Sequence, residues 1–599
     1  MKINTSSWHL KWLVVLGGLL WAFAINISVC AEELDDETMA EKLNELHLFI
    51  GTEQGYELEN QATRNQSAVM LVRYLGVEDS VIDAYELGDL RHPFTDVPLW
   101  AAPHVAYLYQ TGLTNGVSLD KYGGELVVTG DQYATMLLRV LGYDDRNNDF
   151  HWSSALEFYV EEFNVSDFVI LNLNSSHIGI TRGQMVRMSY LSLFFDYKAK
   201  GHKIIDELYY NEVISSEEYG KYGSRQSNSQ IVDEVKSVWI SYLDLKSIIL
   251  DTNADDFRRE IQAMLDNVKA LGMNTVFVQV RPFSDAIYES DVYDWSFIMT
   301  GMDGGSLGFD PFAIIVEEAK ARNLRIDAWI NPYRIRHDLV KDPLNPKGMV
   351  AKMMDDNPNI TIQTGNRLMF NPAFDEVQDM IVAGVEEVVN NYDIDGIHFD
   401  DYFYPSEDLS LDIIQYEEYI KNGGKLSHKD YRRDRMNLLI KNVYSSIKAI
   451  DESVIFGVSP QGSTANNYDH TFIDVQKWID TPGFVDYICP QIYYGFDNET
   501  LDFNKVIDEW SEMVEDSEVD LYVGLAAYKI GQLDTWAGSG SEEWQTKDHR
   551  MKFMIEVSRN ANNYKGVALF RYDSLFKPSA SVKDKVLEDL EAIKTMFKD

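Results

Sequence analysis

Two adjacent aspartates, Asp400 and Asp401, are the residues whose type and position best suit catalysis in this sequence. Cleavage of a glycosidic bond needs a proton donor to the leaving oxygen and a second group across the anomeric carbon. Asp400 ends the apolar run Gly396–Asp400, in which alternation turns it inward. Asp401 must then belong to a loop that can swing over the cleft. We predict Asp400 as the nucleophile or orienting carboxylate and Asp401 as the acid.

Other interpretations of the acidic residues stay open at this point. Asp285, Glu289 and Asp573 are further carboxylate candidates. An aspartate at a strand end also commonly caps the following helix or pairs with an arginine. No grouping of His, Asp and Glu has a convincing zinc spacing, and no Gly-x-Ser-x-Gly elbow is present, so we predict no metal and no cofactor.

Polar side chains also follow other apolar runs, and alternation turns a defined set of them towards one rim. Aromatic residues flank this set, and a cleft of aromatic faces and hydrogen-bonding groups suits a sugar ring. His398 has a second interpretation, as a satisfied core histidine. The inward set comprises Arg281, Asn331, His398, Asp400, Gln491 and Tyr493, and the flanking aromatics are Phe283, Trp329, Tyr333, Tyr402, Tyr404 and Tyr494.

The elements that must position these residues are short apolar runs alternating with amphipathic helical segments. Such alternation predicts an α/β fold, a (β/α)8 TIM barrel, with an open doubly wound sheet as the alternative. No Gly-rich turn follows the first run, which removes the usual nucleotide-binding signature. The predicted strands are Val238–Tyr242, Thr275–Val280, Arg325–Ile330, Gly396–Asp400, Val454–Val458, Val485–Ile492, Leu521–Leu525 and Val567–Phe570.

Four segments carry a specific resemblance: Arg281–Tyr288, Trp329–Arg334, Asp395–Pro405 and Cys489–Tyr494. In this order they resemble the family-10 glycosyl-hydrolase-like proteins (the DUF187 group), over about residues 236–575. The resemblance implies a TIM barrel and a peptidoglycan substrate, because a bacterial member acts on glycan strands stripped of peptides. The resemblance and the inward set together give the substrate-binding candidates, which are Arg281, Asp285, Asn331, Tyr333, Arg334, His398, Tyr402, Gln491 and Tyr493.

The run Asp395–Asp400 is also similar, more weakly, to the fourth-strand motif of chitinase-type barrels. In those enzymes the acetamido group of the substrate attacks the anomeric carbon and an aspartate orients it. Tyr402 stands where their glutamate acid would be, so this resemblance implies that the acid comes from elsewhere.

The N-terminal third contains a repeat. Thr63, Thr129 and Thr181 are each followed three residues later by Gln and then by an apolar helical run, which predicts three capping boxes. The pattern resembles the S-layer homology module over about residues 36–225. This implies a mainly α-helical region that binds a secondary cell-wall polymer through Arg64 and Arg182; a helical spacer that binds nothing is the alternative.

Residues 1–31 predict an export signal, because a basic start and an apolar run precede small residues before Ala31. Lipidation at Cys30 is the alternative. The remaining domains are predicted as the repeats at 36–225, a linker at 226–235 and the barrel at 236–599. No other stretch predicts a membrane span. Cys489 is predicted to be a core residue.

The formal net charge of −43 disfavours nucleic acid as a partner, since phosphate backbones would repel this chain. Together these features predict a secreted hydrolase attached to the bacterial cell wall and acting on a wall glycan. A non-catalytic glycan-binding protein and a hydrolase of another extracellular polysaccharide are the competing hypotheses.

Overall fold

The computed structural model describes residues 35–51, 54–163, 165, 179–198, 202–211, 213–222 and 234–598. The chain divides into two compact units, Met1–Gln226 and Ser227–Asp599. The predicted export signal at 1–31 and most of the predicted linker at 226–235 lie outside the described residues.

The second unit is built on eight parallel strands that close into a barrel, in which each strand pairs with the next barrel strand along the chain and the last pairs with the first. This confirms the predicted (β/α)8 class and excludes the open sheet. Each predicted run forms a strand, although the sixth is short because Pro490 has no N–H to continue the ladder. The barrel strands are β1 Val235–Ile240, β2 Thr275–Arg281, β3 Arg325–Ile330, β7 Gly396–Phe399, β8 Ile455–Val458, β9 Tyr487–Ile488, β10 Asp520–Leu525 and β11 Tyr564–Leu569.

Between β3 and β7 the chain makes an excursion that the alternation did not predict. Strands β4 Arg334–Arg336, β5 Thr361–Thr364 and β6 Arg367–Phe370 pair antiparallel in the order β4-β6-β5. Because Arg334 starts β4, this small sheet fixes the direction of the chain directly after β3.

Apolar side chains fill the inside of the barrel. Trp239, Phe277, Trp329, Tyr487 and Tyr522 are each at most 4% exposed and form one core cluster. Cys489 belongs to the same cluster, as predicted. The strands are buried on both faces, which is the expected pattern where helices cover a parallel sheet.

The helices surround this core and connect successive strands. The helix Ala254–Ala270, for example, is capped by Asn253 and buries one apolar face. In the part of the second unit that is described, the α-helices are Tyr242–Ile249, Ala254–Ala270, Phe297–Thr300, Pro311–Ala321, Met349–Asp356, Asp375–Asn391, Ile413–Lys421, His428–Ile450, Thr464–Asp469, Val475–Asp480, Phe503–Val514, Glu543–Thr546, Arg550–Ser558, Tyr572–Phe576 and Lys583–Lys598.

The first unit is mainly helical, as predicted. Thr63, Thr129 and Thr181 each cap a helix, and in each case both hydrogen bonds of the capping box are present. Gly76 and Gly142 follow two of these helices with positive φ angles of 71° and 89°. Its described helices are Asp36–Glu45, Arg64–Tyr74, Glu78–Leu87, Ala102–Gln110, Gly130–Val140, Ala155–Glu162, Arg182–Ser192, Ile204–Tyr210 and Ser216–Tyr222.

The residues that precede the three caps join the repeats in a closed ring. The N–H of Ala62 donates to the carbonyl of Ile180, that of Ile180 to Val128, and that of Val128 back to Ala62, each at 2.9 Å. Three equivalent segments therefore make three equivalent bonds, an approximate threefold arrangement that the sequence repeat dictates.

No helix among the described residues is long and apolar enough to cross a membrane.

Candidate active site

Asp400 lies directly after β7 and is 8% exposed. Its Oδ1 accepts hydrogen bonds from Gln491 Nε2 at 3.0 Å and from the backbone N–H of Asp401 at 2.8 Å. Its Oδ2 accepts from Trp329 Nε1 at 3.2 Å. Three donors from three different segments of the chain thus fix this carboxylate and stabilise its ionised form.

The Asp401 side chain turns back to interact with the Asp400 carboxyl, and the side chain of Gln461 lies near Asp401. Burial raises the pKa of Asp401 well above its usual range, and the negative charge of Asp400 raises it further. Burial also raises the pKa of Asp400, but the hydrogen bonds from Asp401 N and Gln491 oppose this rise. The two carboxyls therefore titrate as a coupled pair, in which the pKa of Asp401 is raised further than that of Asp400.

Arg334 supplies a positive charge near the pair. Its guanidinium lies 4.3 Å from the centre of the Tyr402 ring, and its Nε donates to the carbonyl of Pro282 at 2.7 Å. The positive charge lowers the pKa values of both Asp400 and Asp401. Because Arg334 is only 6% exposed, this charge acts in a poorly solvated setting.

A cavity of about 430 Å³ opens above the carboxyl pair. Its volume falls within the range of small-ligand clefts, ~300–1,000 Å³. Five of the predicted site residues line this first cavity, namely Asp400, Asp401, Tyr402, Gln491 and Tyr493. The other lining residues are Trp239, Trp329, Tyr528, Phe570, Arg571 and Ser574.

Arg281 and Asn331 do not line the first cavity. Arg281 is 1% exposed and donates from Nη2 to the carbonyl of Pro332 at 2.5 Å. Asn331 donates to the carbonyl of Pro282 at 3.1 Å and accepts from Trp329 Nε1 at 2.9 Å. Both side chains tie together the loops that follow β2 and β3, beneath the cavity lining.

His398 lies inside the barrel and contacts only core groups. Its ring stacks on Phe277 with centroids 4.4 Å apart and shares hydrogen bonds with Trp239 Nε1 at 3.1 Å and Tyr487 Oη at 2.8 Å. Burial lowers the pKa of His398 to about 3, so the imidazole is neutral. These contacts match the core-histidine interpretation.

Asp285 and Tyr333 are also buried away from the first cavity. Asp285 accepts from the backbone N–H of Phe297 at 3.4 Å and lies 3.8 Å from Arg336. Burial raises its pKa to about 6. Tyr333 is fully buried. Neither side chain reaches the cavity in this structure, and the exposed Glu289 does not line it either.

The site residues absent from the sequence prediction come mainly from the first, seventh and eighth strands. Trp239 lies on β1 and Phe570 directly follows β11, and both face the inside of the barrel. The alternation used for the other strands could have identified them. The sequence pattern did not indicate Arg571, because its position depends on a residue far away in the sequence. Arg571 Nη1 donates to Asp244 at 2.5 Å, and the two residues are 327 positions apart.

In the first unit, Arg64 and Arg182 occupy equivalent positions after their caps. Arg64 donates to the carbonyls of Tyr122 at 3.3 Å and Asn115 at 2.8 Å, and Arg182 donates to that of Tyr56 at 2.8 Å. They are 9% and 5% exposed. Both therefore anchor loops within the repeats.

Across the described residues, no group of three or more His, Cys, Asp or Glu side chains is arranged to hold a metal ion.

Comparison with known proteins gives the family. The family model described as Glycosyl hydrolase-like 10 matches residues 234–537. Glycosyl hydrolase YngK of Bacillus subtilis is 35% identical over 61% of this chain and 73% of its own length. Glycosyl hydrolase DigH of Escherichia coli is 32% identical over 59% of this chain and 85% of its own length. The catalytic domain of β-amylase from Paenibacillus polymyxa has a TM-score of 0.41 and 12% identity, covering 61% of this chain and 99% of that chain. The chain belongs to the glycosyl hydrolase-like 10 family.

Proposed function

We propose that this protein is a secreted, wall-attached glycoside hydrolase that cleaves the glycan strands of peptidoglycan after their peptides have been removed. The observation that carries this proposal is the pair of adjacent carboxyls, Asp400 and Asp401, which lines an aromatic cavity. Glycosidic cleavage needs a proton donor to the leaving oxygen and a second group that acts at the anomeric carbon, and this pair offers one carboxyl for each role.

In this mechanism Asp401 donates its proton to the glycosidic oxygen. Asp400 stays ionised because Gln491 and Trp329 donate to it. The two carboxyls interact with each other, whereas carboxyls that flank a sugar in retaining or inverting enzymes lie ~5–9.5 Å apart. This contact favours an orienting role for Asp400, in which it binds the acetamido N–H of the substrate while the acetamido oxygen attacks the anomeric carbon. Water then attacks the anomeric carbon, breaks its bond to the acetamido oxygen and gives a proton to Asp401, which restores the acid.

We further propose that residues 36–225 are S-layer-homology-like repeats that hold the enzyme on a secondary cell-wall polymer, after an export signal at 1–31 and before a linker at 226–235. The closed ring made by Ala62, Val128 and Ile180 supports a threefold module of this kind. Sedimentation of the protein with purified cell walls, before and after chemical removal of that polymer, tests the attachment: loss of binding after removal is expected.

The substrate is tested by incubating the full chain with intact peptidoglycan, peptide-stripped strands and chitin oligomers, and by measuring new reducing ends. We expect product from the stripped strands. Asp400→Asn should lower turnover by about 10²–10⁴-fold. Its thermal unfolding should stay close to that of the native protein, because asparagine preserves the shape of the side chain.

Either of two results would refute this account. Asp400→Asn with native activity would remove the carboxyl pair from the mechanism. Binding of glycan without any new reducing ends, from every substrate, would instead identify a glycan-binding protein. Product from chitin oligomers alone would redirect the assignment to another extracellular polysaccharide.

A further inference from the structure

A second cavity, of about 310 Å³, adjoins the first. Gln491, Tyr493 and Tyr528 line both cavities, so the two are compartments of one cleft. The volume of the second cavity alone reaches the lower end of the range for small-ligand sites, ~300–1,000 Å³. The proposed chemistry of the first cavity makes no use of this second space.

The carboxyl pair lies where the two cavities meet. Gln491, which belongs to both linings, donates to Asp400 at 3.0 Å. Gln461 lines the second cavity, and its side chain lies near Asp401, which lines the first. A proton donor at the junction of two sugar-sized compartments can reach an oxygen that links a sugar in one to a sugar in the other.

The lining of the second cavity has the chemistry of a sugar subsite. Tyr494 and Trp536 contribute aromatic surface, and Gln461 and Asn498 contribute amides. Trp536 is 89% exposed, so its ring is accessible for stacking against a ligand in the cavity. Aromatic faces suit the C–H faces of a pyranose, and amides both donate to and accept from its hydroxyls.

The same lining presents no unpaired charge. Its charged members, all within residues 234–598, are Lys529 and Asp534. They bind each other at 2.5 Å, and Lys529 Nζ also donates to the carbonyl of Tyr493 at 2.7 Å. A charged sugar would find no countercharge here, and desolvating it would be unfavourable. The cavity therefore favours a neutral sugar.

We propose that the second cavity is a subsite for a neutral sugar residue next to the cleavage point, so that the ligand is an oligosaccharide spanning both cavities. The position of the cleavage point rests on the proposed function, whereas the binding of the sugar does not. Trp536 forms the outer wall of the subsite, and Gln461 links the bound sugar to the carboxyl pair.

The test is isothermal titration of the full chain with thio-linked N-acetylglucosamine oligomers, from the monosaccharide to the hexasaccharide, which cannot be hydrolysed. Affinity should rise as the oligomer becomes long enough to fill both cavities. Trp536→Ala should weaken binding of the longer oligomers by about two- to tenfold, the range for one aromatic contact, and should affect the monosaccharide least. Leu533→Ala is the matched control, since Leu533 is 49% exposed on the same loop but lines neither cavity.

Oligogalacturonates of equal length are the charged probe and should gain nothing from the second cavity. The proposal is overturned if Trp536→Ala keeps the native gain with length, if oligogalacturonates bind as tightly as the neutral series, or if no neutral oligomer binds. Length-dependent binding that is lost in Trp536→Ala supports it. Such binding without hydrolysis of peptide-stripped peptidoglycan strands would refute the proposed hydrolase and leave the subsite intact.

Discussion

At the scale of single residues, the order of proton release in the carboxyl pair determines what the site can do. Asp401 has the higher pKa because it is buried and because the negative charge of Asp400 lies next to it. The interaction between the two carboxyls raises the pKa of Asp401 further. Asp400 receives hydrogen bonds that stabilise its charge. Activity that requires ionised Asp400 and protonated Asp401 is therefore confined between two pH limits, which belong to the pair as a whole.

Replacement of Gln491 by alanine should move the acidic limit. The Gln491 side chain donates to Asp400 and so lowers the pKa of that carboxyl. Its loss raises this pKa, and the acidic limb of kcat/KM should shift to higher pH. The measurement is the pH profile of both proteins, with the exposed Gln476→Ala as a control that should leave the profile in place. A lower kcat with an unmoved acidic limb would show that Gln491 does not tune the pair.

Alternation along strands predicted the inward direction of Asp400, Gln491 and Tyr493, all of which line the first cavity. It did not predict the burial of Arg281. The pairing of β2 with β3 shifts register between Gln279 and Arg281, and such a bulge resets the direction in which the following side chain points. A bulge depends on the partner strand, so the sequence of β2 alone does not reveal it.

At the scale of elements, a buried ion pair holds the loop after β7, which carries Asp401 and Tyr402. Arg432, on the helix His428–Ile450, binds Asp412 at 2.6 Å and donates to the carbonyls of Ser406 at 2.9 Å and Asp408 at 2.7 Å. Arg432 and Asp412 are fully buried. The second half of this loop is therefore held against the helix His428–Ile450.

Arg432→Met should lower the free energy of unfolding by about 3–5 kcal/mol, because the buried carboxylate of Asp412 loses its arginine and keeps only the hydrogen bonds to His428 and Tyr404 among the described residues. Urea unfolding measures this loss. Arg259→Met is the control, since Arg259 pairs with Asp256 at the surface with 69% and 51% of the side chains exposed. It should change stability by less than about 1 kcal/mol. Equal effects of the two substitutions would contradict the role given to the buried pair.

At the scale of the whole molecule, the sequence predicted the barrel and the three capped helices of the first unit well, because both rest on local periodicity. The eight strand runs and the threonine caps at Thr63, Thr129 and Thr181 need no long-range information. The antiparallel sheet at Arg334–Phe370 does need it: β5 and β6 follow each other with no helix between them, so they fall outside the strand–helix alternation that identified the equally short barrel strands.

Stability should depend on pH through buried carboxyls outside the site. Burial raises the pKa of Asp589 to about 7 and that of Glu543 to about 7. The folded state therefore holds protons that the unfolded chain releases above pH ~4, and the free energy of unfolding should fall as pH rises from about 4 to about 7.

Asp589→Asn should remove part of this dependence. We expect its Tm to exceed that of the native protein by about 2–4 °C at pH 8 and to match it at pH 4, because asparagine carries no charge to bury. Thermal unfolding at the two pH values measures the difference. Glu588→Gln, at an exposed position of the same helix, should leave the pH dependence unchanged. A Tm gain that is equal at both pH values would point to packing instead of titration.

The central claim is that water cleaves a glycosidic bond at the carboxyl pair. Mass spectrometry of peptide-stripped strands digested by the full chain in ¹⁸O-labelled water tests it most directly, with Asp400→Asn in parallel. The account predicts fragments that each carry one labelled oxygen at the new reducing end and none from the variant. Unlabelled anhydro ends, or labelled fragments from Asp400→Asn in native amounts, would contradict it.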